Sequence, residues 1–68
     1  MKFSARNQLK GTIKEIKKGP VSTEVVIDIK GMEVVSSITT GSAENLNLKV
    51  GDEAIAIIKA SNVMIGIE

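Results

Sequence analysis

The run Val21-Ser22-Thr23-Glu24-Val25-Val26-Ile27-Asp28-Ile29, then Lys30-Gly31, then Met32-Glu33-Val34-Val35-Ser36-Ser37-Ile38-Thr39, decides the fold. Val21, Thr23, Val25, Ile27 and Ile29 fall on one side of an extended chain, with Ser22, Glu24, Val26 and Asp28 on the other. Val34, Ser36 and Ile38 repeat the alternation. A period of two built on β-branched side chains marks half-buried strands, and Lys30-Gly31 between them marks a tight hairpin.

The same period continues outward. Ile55 and Ile57 alternate with Ala54, Ala56 and Ile58, and Val63, Ile65 and Ile67 alternate with Met64 and Gly66. The breaks carry turn chemistry: Lys18-Gly19-Pro20, where Gly19 can take positive φ; Val50-Gly51-Asp52; and Ala60-Ser61-Asn62. Only Thr40-Gly41-Ser42-Ala43-Glu44-Asn45-Leu46 departs from alternation, and it predicts one or two helical turns with Leu46 tucked inward. The order β-β-β-short helix-β-β predicts an all-β, OB-like, five-stranded Greek-key barrel, although an SH3-like barrel shares that order. Val26, Val35 and Ile58 lie opposite the main core set, and that surplus of apolar surface points to subunit contacts.

Composition narrows the function. Sixty-eight residues predict a single domain, 1–68, too small to be very stable alone. Without cysteine or histidine there are no disulfides, thiolate or imidazole metal ligands, or His-based acid–base catalysts, so oligomerisation is the expected support. No apolar run reaches membrane-span length and Met1–Phe3 is too short for a signal peptide, so a cytoplasmic location is expected. The acids are scattered, and a Ser–Lys pair through Lys59 has no supporting neighbour, so a binder rather than an enzyme is predicted.

Charge points to an anion. Residues 1–18 hold Lys2, Arg6, Lys10, Lys14, Lys17 and Lys18 against Glu15 alone, while the rest of the chain is net acidic. Ser4 and Arg6 are two apart and so face the same way on a strand; Lys59 and Ser61 repeat the spacing. Thr39, Thr40, Gly41 and Ser42 open the short helix with hydroxyls and backbone N–H groups. Such donors suit a tetrahedral oxyanion, which offers only acceptors. Spacing alone fits turn caps and surface charges equally well.

Three segments carry a resemblance. Ser4-Ala5-Arg6-Asn7-Gln8-Leu9-Lys10-Gly11 resembles the opening signature of the molbindins, the small molybdate-binding Mop proteins, close to their clostridial members called molybdenum-pterin-binding proteins. Lys59-Ala60-Ser61-Asn62-Val63-Met64-Ile65 resembles the closing signature, with Leu48-Lys49-Val50-Gly51-Asp52 between them. The resemblance implies strand exchange between subunits, a homohexamer built as a trimer of dimers, and molybdate or tungstate held at subunit interfaces. The implied role is storage and homeostasis without catalysis or a required cofactor.

By position, the resemblance makes Ser4, Arg6, Lys59 and Ser61 ligand-bearing, with Ala5 and Ala60 offering backbone N–H groups and Thr39 and Ser42 coming from a neighbouring subunit. A second oxyanion site would use Gly19, Val21 and Ser22, since Pro20 has no N–H to give. Asn7 would order the first segment, and Met32 and Met64 would fill core. Two other classes of binder are weighed. A molybdopterin-type carrier needs a stacking surface, and Phe3 is the only aromatic residue. An oligonucleotide-binding OB module would lean on Lys10, Lys14, Lys17 and Lys18 as phosphate contacts, also without aromatic platforms.

Overall fold

The computed structural model describes residues 5–68. Strands β1 (Asn7–Lys18), β2 (Ser22–Ile29) and β3 (Met32–Thr39) lead into helix α1 (Thr40–Asn45), strand β4 (Glu53–Ile58) and a 3-10 turn, Ala60–Asn62. They form one antiparallel sheet in the order β3-β2-β1-β4.

Strand β1 shapes this sheet. Its first half, Asn7 to Thr12, pairs with β4, and its second half, from Thr12 to Lys18, pairs with β2. At the crossover the backbones close in on Gly11: a Cβ there would lie 2.5 Å from the Asp28 carbonyl oxygen and 2.7 Å from the Ile29 side chain. A bulge between Ile13 and Glu15 follows. It resets the alternation, so that Ile13 and Ile16, three apart, both pack into the core. Ile13, Val25, Ile27 and Ala56 form the buried centre, with Ile16, Ile29, Val34, Ile38, Leu48 and Ala54 around it. On the other face Val26 is buried between Glu15 and Val35 in register, whereas Val35 is 59% exposed.

The turns follow their residues. Ile29 pairs with Met32, leaving Lys30 and Gly31 as a two-residue loop with φ of 52° and 87°, the two positive values of a type I′ turn. Asp28 Oδ1 accepts the Gly31 N–H at 3.1 Å. Gly51, at φ 96°, turns the chain into β4 while its N–H donates to the Ile13 carbonyl at 2.8 Å. Gly19 is needed for another reason than the one expected. Its φ is not positive; a Cβ there would sit 2.6 Å from the Ser22 carbonyl oxygen, so closeness rather than handedness selects glycine.

Helix α1 has Thr39 as its N-cap and ends in a Schellman motif. Asn47, at φ 52°, donates to the Glu44 carbonyl at 3.0 Å and Leu48 to that of Ala43 at 3.4 Å. The left-handed residue redirects the chain, so Leu46 is 66% exposed rather than tucked inward, and Ala43 and Leu48 make the inward contacts.

The expected fifth strand is not part of this sheet. Residues 63–68 follow the 3-10 turn without strand pairing, and Met64, Ile65 and Ile67 are 94%, 91% and 94% exposed. Within the described chain these apolar side chains are not packed into the core. The described fold is thus a curled four-stranded sheet with one short helix.

Candidate functional site

The predicted donors gather at the two ends of β1. At its start, Asn7 pairs with Ile58, and the Asn7 side-chain amide donates to the Ile58 carbonyl at 3.1 Å. That bond holds the segment before β1 beside the segment after β4, as expected of an ordering residue. Gln8 Nε2 adds a bond to the Ala5 carbonyl at 3.1 Å. Ala5 and exposed Arg6 therefore neighbour Lys59, Ala60 and Ser61, all exposed. Lys59 is the N-cap of the 3-10 turn, whose tight bend is closed by Asn62 N–H donating to the Lys59 carbonyl at 2.8 Å. Ser4 lies outside the described residues.

At the far end, Thr39 and Ser42 meet Gly19, Val21 and Ser22. Ser22 pairs with Thr39, and the Thr40 N–H donates to the Val21 carbonyl at 2.8 Å. Thr39 Oγ1 accepts the Ser42 N–H at 3.1 Å and donates to Ser42 Oγ at 2.7 Å. The Thr39 proton is thereby committed. The Ser42 Oγ–H, like the Ser22 and Ser61 hydroxyls, donates no hydrogen bond among the described residues.

The two donor groups lie toward opposite ends of β1. Eleven steps of β1 at about 3.3 Å each separate them by roughly 35 Å, less whatever the curl removes. Arg6 and Lys59 thus lie at one end, and Thr39 and Ser42 at the other. Within the chain Thr39 and Ser42 stand beside the second-site residues Gly19, Val21 and Ser22; the resemblance gives them to a first site completed from a neighbouring subunit.

The basic strand is less available than its sequence suggests. Lys14 is ion-paired with Glu33, and Lys18 with Glu44 at 2.8 Å. The hydrogen bond that Lys14 donates to Glu33, reinforced by the carboxylate's charge, holds the Lys14 pKa above its ordinary value. Two of the four lysines an oligonucleotide would need already face carboxylates, which weakens that alternative.

Sequence reasoning singled out no groove. An open groove of about 520 Å³ runs along one side of the core, lined largely by Ile13, Val25, Ile27, Ile38, Ile55 and Ile57, of which Ile57 is exposed. The alternating pattern names its residues, but which of them stay uncovered depends on the curl of β1. No helix of the described residues is long and apolar enough to cross a membrane.

The family model described as TOBE domain matches residues 4–65. The chain is 54% identical over 69 residues to a probable molybdenum-pterin-binding protein of Haemophilus influenzae, covering all of both chains. It is similar in structure to MopII from Clostridium pasteurianum, with a TM-score of 0.92 and 45% identity over 97% of this chain and 100% of that one. It is also similar to the cytoplasmic molybdate-binding protein ModG in its molybdate-bound form, with a TM-score of 0.94 and 43% identity. That match covers 100% of this chain and 49% of ModG.

Proposed function

The chain belongs to the TOBE-domain family in its Mop form, a binding protein rather than an enzyme, and from that premise we propose that it binds molybdate or tungstate at sites shared between subunits. The observation that carries this reading is the separation of donors along β1. The Asn7–Ile58 pair gathers Arg6, Lys59 and Ser61 at one end, while Ser42 offers its hydroxyl at the other. A second copy supplies the missing half. Ser4 and the N–H groups of Ala5 and Ala60 complete the proposed first site, and Gly19, Val21 and Ser22 form the second.

The exposed C-terminal segment and the open groove support strand exchange. Residues 63–67 are apolar and alternating, and the groove is apolar and uncovered. Seating this segment against a second copy would supply the fifth strand of an OB-like barrel and cover both surfaces at once. The assembly is a homohexamer, a trimer of dimers, of single-domain chains 1–68. It works in the cytoplasm, as ModG does by its description. Its role is storage and homeostasis of molybdenum with no required cofactor. Discrimination rests on where donors stand, because a tetrahedral dianion presents nothing but acceptors.

Isothermal titration with molybdate and with tungstate, paired with the mass in solution, tests this. Saturable uptake by a multiple of the 7.2 kDa chain is expected. A silent titration with both anions would overturn it, and fluorescence from a copurifying organic cofactor would favour the pterin carrier.

A further inference from the structure

We infer that Thr40, backed by Thr23, is a positioning residue that locks the β1–β2 turn to the start of α1 and so sets the donors of both oxyanion sites at once; this rests on the function proposed above. The two threonines are the buried polar residues of the described chain, with relative exposures of 9% and 1%. Thr40 Oγ1 donates to the Gly19 carbonyl at 2.6 Å, and Thr23 Oγ1 lies 2.9 Å from Thr40 Oγ1. A hydroxyl has one proton. Because Thr40 gives its own to Gly19, Thr23 must be the donor in the threonine pair. The result is a directed chain, Thr23 to Thr40 to Gly19, leaving no buried side-chain polar atom without a partner.

Each link holds a different element. Thr23 belongs to β2, Gly19 to the turn before it, and Thr40 is the first residue of α1. The Thr40 backbone reinforces the lock through its N–H to the Val21 carbonyl at 2.8 Å. Its sequence neighbour Thr39 is in register with Ser22 and caps Ser42. The Thr40 hydroxyl therefore ties the backbone of Gly19, and its N–H that of Val21, to the segment that presents Thr39 and Ser42. Thr23, at 1% exposure, is closed to water, so deleting the Thr40 hydroxyl leaves the Thr23 proton unpaired and loosens the turn against the helix.

The measurement is isothermal titration of molybdate into wild type, Thr40→Val, Thr40→Ser and Thr23→Val at one temperature where all are folded. Urea unfolding of each variant runs beside it. Thr40→Val is expected to weaken molybdate affinity about three- to tenfold. Thr40→Ser should restore it, because serine keeps the donor. Thr23→Val, which leaves the bond to Gly19 in place, should cost less than Thr40→Val and serves if that variant does not fold. A purely structural role would lower the urea midpoint of Thr40→Val and leave affinity as in wild type; that result overturns the inference while the proposed function stands. A wild-type chain that binds no molybdate overturns both.

Discussion

Arg6 is exposed and stands beside Lys59 and Ser61 through the Asn7–Ile58 pair. Its guanidinium gives planar, charge-assisted donors, which a dianion uses only when the rest of its shell is supplied. In a site closed by a second subunit, Arg6→Ala should cost roughly 1.5–3 kcal/mol of oxyanion binding, about one to two decades in affinity. Arg6→Lys should recover part of this, since a point charge on a flexible stem replaces the fork. The unliganded assembly should persist in both, as removing a cation from a cationic cluster relieves repulsion. Titration of the three proteins decides the matter: equal affinities would make Arg6 a surface charge and detach the β1 start from the site. Ser42 is its counterpart at the other end. Thr39 donates to Ser42 Oγ, which leaves the Ser42 proton available to the proposed anion.

At the scale of elements, the hairpin between β2 and β3 carries a small fault. Type I′ turns need positive φ at both central positions, and here the first is Lys30 at 52°. A side chain other than Asn, Asp or Gly pays a steric penalty in that region. Lys30→Asn should stabilise the protein by about 0.5–1 kcal/mol, read as a higher urea midpoint at fixed protein concentration and unchanged slope. A lower midpoint would mean that Lys30 makes a compensating contact. The elements themselves were largely legible: alternation located β2, β3 and β4, the Lys18-Gly19-Pro20 break marked the end of β1, Lys30-Gly31 located the tight hairpin, and Thr39 located the helix start. Other features were not, because they depend on distance across the sheet. Gly19 and Gly11 are glycine through close approach to Ser22 and Asp28, contacts invisible along the chain. Leu46 looked inward by type, but the left-handed Asn47 ended the helix early and passed that contact to Leu48. The pattern of Val63, Ile65 and Ile67 reads as a strand, yet alternation specifies a face and says nothing about which chain supplies the neighbour.

For the whole molecule, the groove and the exposed C-terminal segment are two halves of one packing problem. Apolar side chains at 91–94% exposure, in a chain with so small a core, leave much of the available hydrophobic stabilisation unused. In the proposed assembly, pairing two copies would use it, and the same pairing would bring the start of one β1 toward the end of the other. Binding and assembly are then one design: bound oxyanion should stabilise the oligomer by mass action, in proportion to its concentration over its dissociation constant. Spacing alone does not divide the donors between chains, since Arg6 and Ser42 are 36 positions apart with nothing between them to say whether they meet; only the resemblance assigned Thr39 and Ser42 to a neighbouring subunit. The most direct test is complementation between chains. Arg6→Ala and Ser42→Ala chains, each weakened alone, are coexpressed with different tags and purified through both. Sites shared between subunits predict that the mixed assembly regains sites of wild-type molybdate affinity, because one chain of a pair supplies an intact Arg6 and the other an intact Ser42. If every site in the mixed assembly remained weak, the donors would be drawn from a single chain and the shared-site claim would be wrong.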